Sequence, residues 1–348
     1  MKMRCTRLPF CFVVLAASTF LTNFAFGAKA TYTLTDLGTL PGMNYSVGQA
    51  INATGQTTGA SGDDGSNVSH VFLNSSGTWE DLGTLGGQSG IGNGVNASGV
   101  VAGYSENSNN AYRAFVSSGD TLVDIGDLGG GSAVAYAIND AGDVVGSAVT
   151  NEGSNHPFLY SNGQMIDLGT LGSPEGTDWW NSAQGVNNSG LVVGTSYNAQ
   201  GNFLGFTWSN GKMTAMGTLG GLWSQAYAVN NTGQITGIAY TKAGNAHAYI
   251  TEPGGKLKDL GTLAGKLGTS WGFAINDAGV VVGQSMTRQG TYVAFVYNGK
   301  AIKDLNELIP KNSGWVLYEA RGINNAGQII CSGMKSDGTQ HAILLTPQ

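Results

Sequence analysis

Residues 135–142 read Ala135-Tyr136-Ala137-Ile138-Asn139-Asp140-Ala141-Gly142, and versions of this phrase return along the whole chain. Its Ile/Val-Asn-x-x-Gly core places an Asn at 52, 96, 139, 187, 230, 276 and 324. A second phrase, Asp-Leu-Gly, starts at Asp36, Asp81, Asp124 (with Ile125), Asp167 and Asp259. Degenerate copies lie at Ala215-Met216-Gly217 and Asp304-Leu305-Asn306, so the seven stand 45, 43, 43, 48, 44 and 45 residues apart. A third position carries Phe72, Phe115, Phe158, Phe206, Tyr249 and Phe295, with Ile343 in the seventh place. Self-similarity at this period marks an array of stacked supersecondary units.

Each unit reads as four short strands. In the third, strands are expected over 135–139, 143–147, 156–160 and 164–171, with turns at Asp140-Ala141-Gly142 and Ser161-Asn162-Gly163. Period-two patterning, β-branched residues and Gly/Asn turns support strands, and no stretch has helical periodicity. Seven such units predict an all-β fold, a seven-bladed β-propeller of four-stranded blades. Residues 32–40 supply a fourth strand without its first three, and 315–345 supply three strands without a fourth. The propeller is therefore expected to close by pairing the N-terminal strand with the last blade, which removes exposed sheet edges.

Two positions before each repeat Asn stand Ala50, Gly94, Ala137, Gly185, Ala228, Ala274 and Gly322. Four before it stand Gly48, Gly92, Ala135, Ala183, Ala226, Gly272 and Ala320. Residues two apart on a strand share a face. These pairs are thus expected to form one small-residue face on the innermost strand, where blades crowd at the axis.

The first thirty residues read as a secretory leader. Lys2, Arg4 and Arg7 precede an apolar run over 9–27, with small residues at Ala25, Gly27, Ala28 and Ala30. The run is broken by Thr19, Thr22 and Asn23, so it suits cleavage better than anchoring, and a single domain is expected over 31–348. Removal takes four of the 16 Lys and Arg but none of the 22 Asp and Glu, leaving a formal charge of −10. That charge repels phosphate backbones, so no nucleic-acid partner is expected. No basic tract suits anionic lipid, and no membrane anchor is expected after cleavage. Of the three cysteines only Cys331 remains, which rules out an internal disulfide and, in an apolar run, points to packing. The product is expected to be secreted, extracellular or periplasmic, and monomeric.

The phrases Asp-Leu-Gly-Thr-Leu-Gly-Gly at 81–87, Ala-Ile-Asn-Asp-Ala-Gly at 137–142 and 274–279, and His247-Ala248-Tyr249 resemble the extracellular repeat proteins named after the His-Ala-Phe motif. The resemblance covers about residues 32–346. It implies export and a repeat architecture, and it implies no activity. Some relatives carry a C-terminal sorting segment; the ending Leu344-Leu345-Thr346-Pro347-Gln348 offers none, which is expected of a released or periplasmic protein.

Repetition itself argues against many candidate catalytic groups. His70, His156, His247 and His341 occupy one repeat position, two before the aromatic residue, so they are expected to hydrogen-bond neighbouring strands rather than converge on a metal. The repeated Asp and the repeat asparagines, Asn52, Asn96, Asn139, Asn187, Asn230, Asn276 and Asn324, are expected to cap turns. No metal or phosphate-loop motif is present, and no cofactor is expected.

Function is expected where the repeat is broken. Trp179, Trp180, Trp223, Trp271 and Trp315 lie in or beside the connections entering the inner strands, and Tyr45, Trp180 and Trp223 each stand seven residues before a repeat Asn. Glu319 and Arg321 break the pattern within an inner strand. Aromatic rings with a polar rim suit a glycan or a surface protein. The first expectation is therefore a non-enzymatic binding module. One alternative is a polysaccharide lyase or hydrolase using Glu106, Glu175, Asp178, Glu319 and Arg321. Another is a structural extracellular matrix protein.

Overall fold

A computed structural model describes residues 32–173 and 180–348; the expected leader at 1–30 lies outside them. Among the described residues are 28 strands, and no helix is long and apolar enough to cross a membrane. The strands pair antiparallel in four-stranded sheets. In the third unit the order is Gly129–Ile138, Val144–Thr150, Asn155–Ser161 and Gln164–Asp167, so the fourth strand ends four residues before the expected 171. In the last sheet the N-terminal strand Tyr32–Asp36 lies on the outer edge of Gln340–Pro347, with Tyr32 opposite Pro347 and Asp36 opposite Ile343. One parallel contact, Ser69 beside Ser89, formally merges the first two units into one eight-stranded sheet.

No sheet closes on itself. Side chains join successive units instead. Val71, Leu73 and Leu82 pack with Val101 and Phe115 of the next unit; Val145 and Leu168 pack with Val192 and Phe206 of the next. The circuit returns to its start, because Ile330 and Ala342 of the last unit pack with Phe72 of the first. A hydrogen-bond circuit runs beside it. Each repeat Asn donates its side-chain amide to the backbone carbonyl of the Asn one unit on: 52 to 96 at 2.8 Å, 96 to 139 at 3.3 Å, 139 to 187 at 3.1 Å. The series continues 187 to 230 at 3.0 Å, 230 to 276 at 2.9 Å, 276 to 324 at 3.2 Å and 324 back to 52 at 3.0 Å.

The small-residue pairs do not share a face, contrary to the period-two expectation. Gly48 faces Gly59, but Ala50 faces the adjacent Thr58, so Gln49 between them is a bulge residue. The same shift occurs at 92/94, 135/137, 183/185, 226/228, 272/274 and 320/322. An extra residue turns the two small positions to opposite faces. A Cβ added at Gly272 would meet Thr236 of the preceding unit, and one at Gly185 would meet Tyr227 and Ala228 of the following unit. Each inner strand is therefore crowded from both sides, which explains why both positions hold only Gly or Ala.

The bulge also sets a demand on the second strand. Its carbonyl at the residue before the first small position points at Gly59, Gly103, Gly146, Gly194, Gly237 and Gly283, where any Cβ would collide with it. The buried aromatic ring of the third strand packs on the same glycine: Phe72 on Gly59, Phe158 on Gly146 and Phe206 on Gly194.

Candidate functional site

Repeated polar residues form clamps within the units. Each histidine Nδ1 meets the carboxylate of the adjacent fourth strand: His70 with Asp81 at 3.0 Å, His156 with Asp167 at 2.8 Å, His247 with Asp259 at 2.9 Å, and His341 with Asp36 at 2.7 Å. Arg113 takes this place in the second unit, where it pairs with Asp124 and Asp127. Each of these aspartates also accepts an N–H two residues on, as Asp167 does from Gly169 at 2.8 Å. Burial raises the Asp167 and Asp259 carboxyls, but the bonds from His156 and His247 and from the glycine N–H groups outweigh it and hold both below the ordinary range. Among the described residues no three His, Cys, Asp or Glu side chains gather as metal ligands.

The aromatic candidates separate into two classes. Trp315 is not an open anchor: it is 7% exposed, tilted against His341 at 5.4 Å and covered by the Lys335 ammonium at 4.4 Å from its ring centre. Trp271 is half-buried against Tyr292, ring centres 5.4 Å apart. Tyr45 packs where a side chain at Gly62 would otherwise stand. Trp179 lies outside the described residues, as do Glu175 and Asp178. Trp180 and Trp223 are open, at 69% and 44% exposure, and one cavity of about 700 Å³ brings them together. Trp223, expected in or beside a connection, stands among the first, turn-side residues of the strand Gly220–Val229, at a second bulge between Gly220 and Ser224.

The cavity is built from equivalent positions on three consecutive inner strands. Counting back from the repeat Asn, positions seven, five and three are Ser132, Val134 and Tyr136 in the third unit and Trp180, Ser182 and Gln184 in the fourth. Trp223 and Gln225 hold the first two places in the fifth. Behind them, Tyr197 and Phe203 stack with ring centres 4.6 Å apart. Among the described residues that line the cavity there is no Asp, Glu, Lys, Arg or His. Glu319 and Arg321 lie elsewhere, on the seventh unit, bound to each other at 2.9 Å, with the guanidinium 4.2 Å from the Phe273 ring centre. Glu106, in the second unit, accepts the Gln88 N–H at 3.2 Å.

Sequence reading missed the role of the bulge residues, Gln49, Asn93, Tyr136, Gln184, Tyr227, Phe273 and Arg321. Successive members meet along the inner edges: Arg321 covers Phe273, and Phe273 lies 5.9 Å from Tyr227. Burial pushes the Tyr227 phenol up to about 12, against the opposing charge of Arg321, and its hydroxyl donates to Gln225 at 2.6 Å. The available signal was their diversity between two positions that never vary in size. An invariant frame holding a variable residue is what a specificity position looks like.

No family model matches the sequence, and no curated protein matches it. Solved structures do. YCF48 bound to a D1 peptide is 13% identical over 91% of this chain and 95% of that one, with a TM-score of 0.52. A puromycin-hydrolyzing peptidase of Mycobacterium tuberculosis is 12% identical over 88% of this chain and 54% of its own, with a TM-score of 0.58. An acylaminoacyl peptidase of Pyrococcus horikoshii is 9% identical over 89% and 52%, with a TM-score of 0.54. The chain thus spans about half the length of each peptidase. Likeness at this identity speaks for the fold alone: an all-β chain with β-propeller neighbours.

Proposed function

We propose that this chain is a secreted, non-enzymatic binding module that takes a glycan or a surface protein at the Trp180–Trp223 cavity. The observation carrying this reading is that two exposed indoles on neighbouring units, Trp180 and Trp223, the latter packed edge-on against Tyr240 at 5.6 Å, line one cavity whose described residues carry no charge. Exposed tryptophan loses little entropy on contact and offers a large apolar face with a polar edge. The YCF48 structure holds a peptide, which keeps a polypeptide partner beside the glycan.

The scaffold of this reading is a seven-bladed propeller, closed by strand Tyr32–Asp36, from the His-Ala-Phe repeat family. The side-chain circuit of seven asparagines and the packing of the last unit on the first support the count and the closure. The leader expected at 1–30 supports release to the periplasm or cell exterior. The lyase or hydrolase alternative draws no support from the described residues of the cavity, among which no acid or base stands; its Glu175 and Asp178 lie outside them.

The test is capture from a glycan array and a cell-surface extract by residues 31–348 and by its Trp180→Ala/Trp223→Ala variant. The reading expects at least a tenfold loss of capture by the variant with unchanged circular dichroism. Equal capture by both forms removes this site.

A further inference from the structure

The cavity resting on that reading has a chemistry specific enough to name its ligand class: we infer that it is a subsite for an uncharged carbohydrate. Three ligand types compete for an aromatic cavity, and the lining separates them.

An anionic polysaccharide would need a cation, and the described residues of the cavity supply none. The one cation among the bulge residues, Arg321, is on another unit and already carries Glu319. The expected charge of −10 adds repulsion at a distance.

An apolar peptide side chain would fit the indoles but not the amides. Gln184 spends one N–H on Ser182 Oγ at 2.8 Å, and its Oε1 makes no hydrogen bond among the described residues. Gln225 spends Oε1 on the Tyr227 hydroxyl at 2.6 Å, and its Nε2 makes none. The two amides that line the cavity therefore keep a free acceptor, Gln184 Oε1, and free N–H donors, chiefly the Gln225 NH2. Covering them with hydrocarbon leaves both unpaired and dehydrated, which costs affinity.

A neutral sugar satisfies both demands. Its axial C–H face lies on an indole, and its hydroxyls donate to Gln184 Oε1 and accept from Gln225 Nε2. The Tyr227 hydroxyl holds the Gln225 amide by its oxygen and leaves its NH2 unpaired, which lowers the ordering cost of binding.

The test titrates residues 31–348 with cellohexaose, laminarihexaose and mannohexaose, with polygalacturonate, and with an aromatic-rich neutral peptide, following tryptophan fluorescence and heat at 50 and 500 mM NaCl. The expected result is binding of a neutral hexasaccharide with a Kd that changes less than twofold between the two salts. Trp180→Ala and Gln184→Leu should each weaken it tenfold or more without altering circular dichroism. Failure of all three hexasaccharides to bind overturns the inference. So does salt-sensitive binding of polygalacturonate alone, or peptide binding that Gln184→Leu strengthens. In the peptide case a Trp180-dependent binding module would still stand, whereas capture indifferent to both tryptophans sinks the module reading itself.

Discussion

Asn324 donates its side-chain amide to the backbone carbonyl of Asn52, 272 residues earlier, at 3.0 Å. The same Asn324 accepts the Ala326 N–H at 3.1 Å and the Gln328 N–H at 3.0 Å through its Oδ1. One side chain therefore caps its own turn and ties the last unit to the first. The other six repeat asparagines do the same with their neighbours, and all seven are buried. A polar side chain this enclosed is tolerated because its donor and its acceptor are both used.

Substituting any ring member strands several partners at once. Asn187→Ala leaves the Ser189 and Leu191 N–H groups and the Asn230 carbonyl without their bonds. The expected loss is about 3 kcal/mol. Asn187→Asp keeps the turn acceptor but loses the donor to Asn230, and it should cost about 2 kcal/mol. Urea denaturation of the two variants checks both values. A loss below about 0.5 kcal/mol for Asn187→Ala would make the circuit ornamental.

Acid should loosen the clamps between third and fourth strands. The folded-state carboxyls of Asp167 and Asp259 lie below their unfolded value. Their contribution is complete above the ordinary carboxylate pKa of about 4 and is lost as pH falls through the lower folded value. Stability in urea should thus be level from pH 7 to 5 and fall below pH 4. The Asp167→Asn/Asp259→Asn variant should be less stable at pH 7 and show a flatter acid limb. An equally steep limb in that variant would place the acid sensitivity elsewhere.

The second-strand glycines should refuse a methyl group. At Gly146 a Cβ would collide with the Val134 carbonyl and press on the Phe158 ring. Gly146→Ala is expected to cost about 3 kcal/mol or more, since both obstacles are fixed in the core. A thermal melt lowered by less than a few degrees would show that the bulge is free to relax.

Cys331 should behave as a small apolar residue. It is fully buried in the core cluster of the last unit, and burial pushes its thiol well above the usual range. Neither condition favours the thiolate. The folded chain should leave a thiol reagent such as DTNB untouched at pH 8 for hours, and react once denaturant unfolds it.

The repeat, its four strands and the pairing of Tyr32–Asp36 with the C-terminal strand were legible because turn and core residues recur in fixed register. The bulge was not. Strict alternation puts residues two apart on one face, and only the pairing of Gly48 and Ala50 with adjacent partners exposes the extra residue. The site was half legible. Trp180 and Trp223 stand at the same repeat position and reach one cavity, whereas Trp315 is held in the core by His341, Lys335 and the packed Leu308 and Ile309 of its connection. Gln184 and Gln225 passed unnoticed because a glutamine carries no motif; its meaning lies in which of its atoms remain unpaired.

The proposed seven-bladed propeller depends on the pairing of the chain's two ends in one sheet. The direct measurement is a disulfide between the two ends of the chain. Thr33 and Thr346 face each other across the joining pair, at the Cα separation a disulfide spans in antiparallel strands. In residues 31–348 bearing Cys331→Ala, the Thr33→Cys/Thr346→Cys variant should oxidise almost completely to an intramolecular bridge, with native circular dichroism and faster migration on a non-reducing gel. Free thiols, or bridges formed only between molecules, would contradict the closed arrangement.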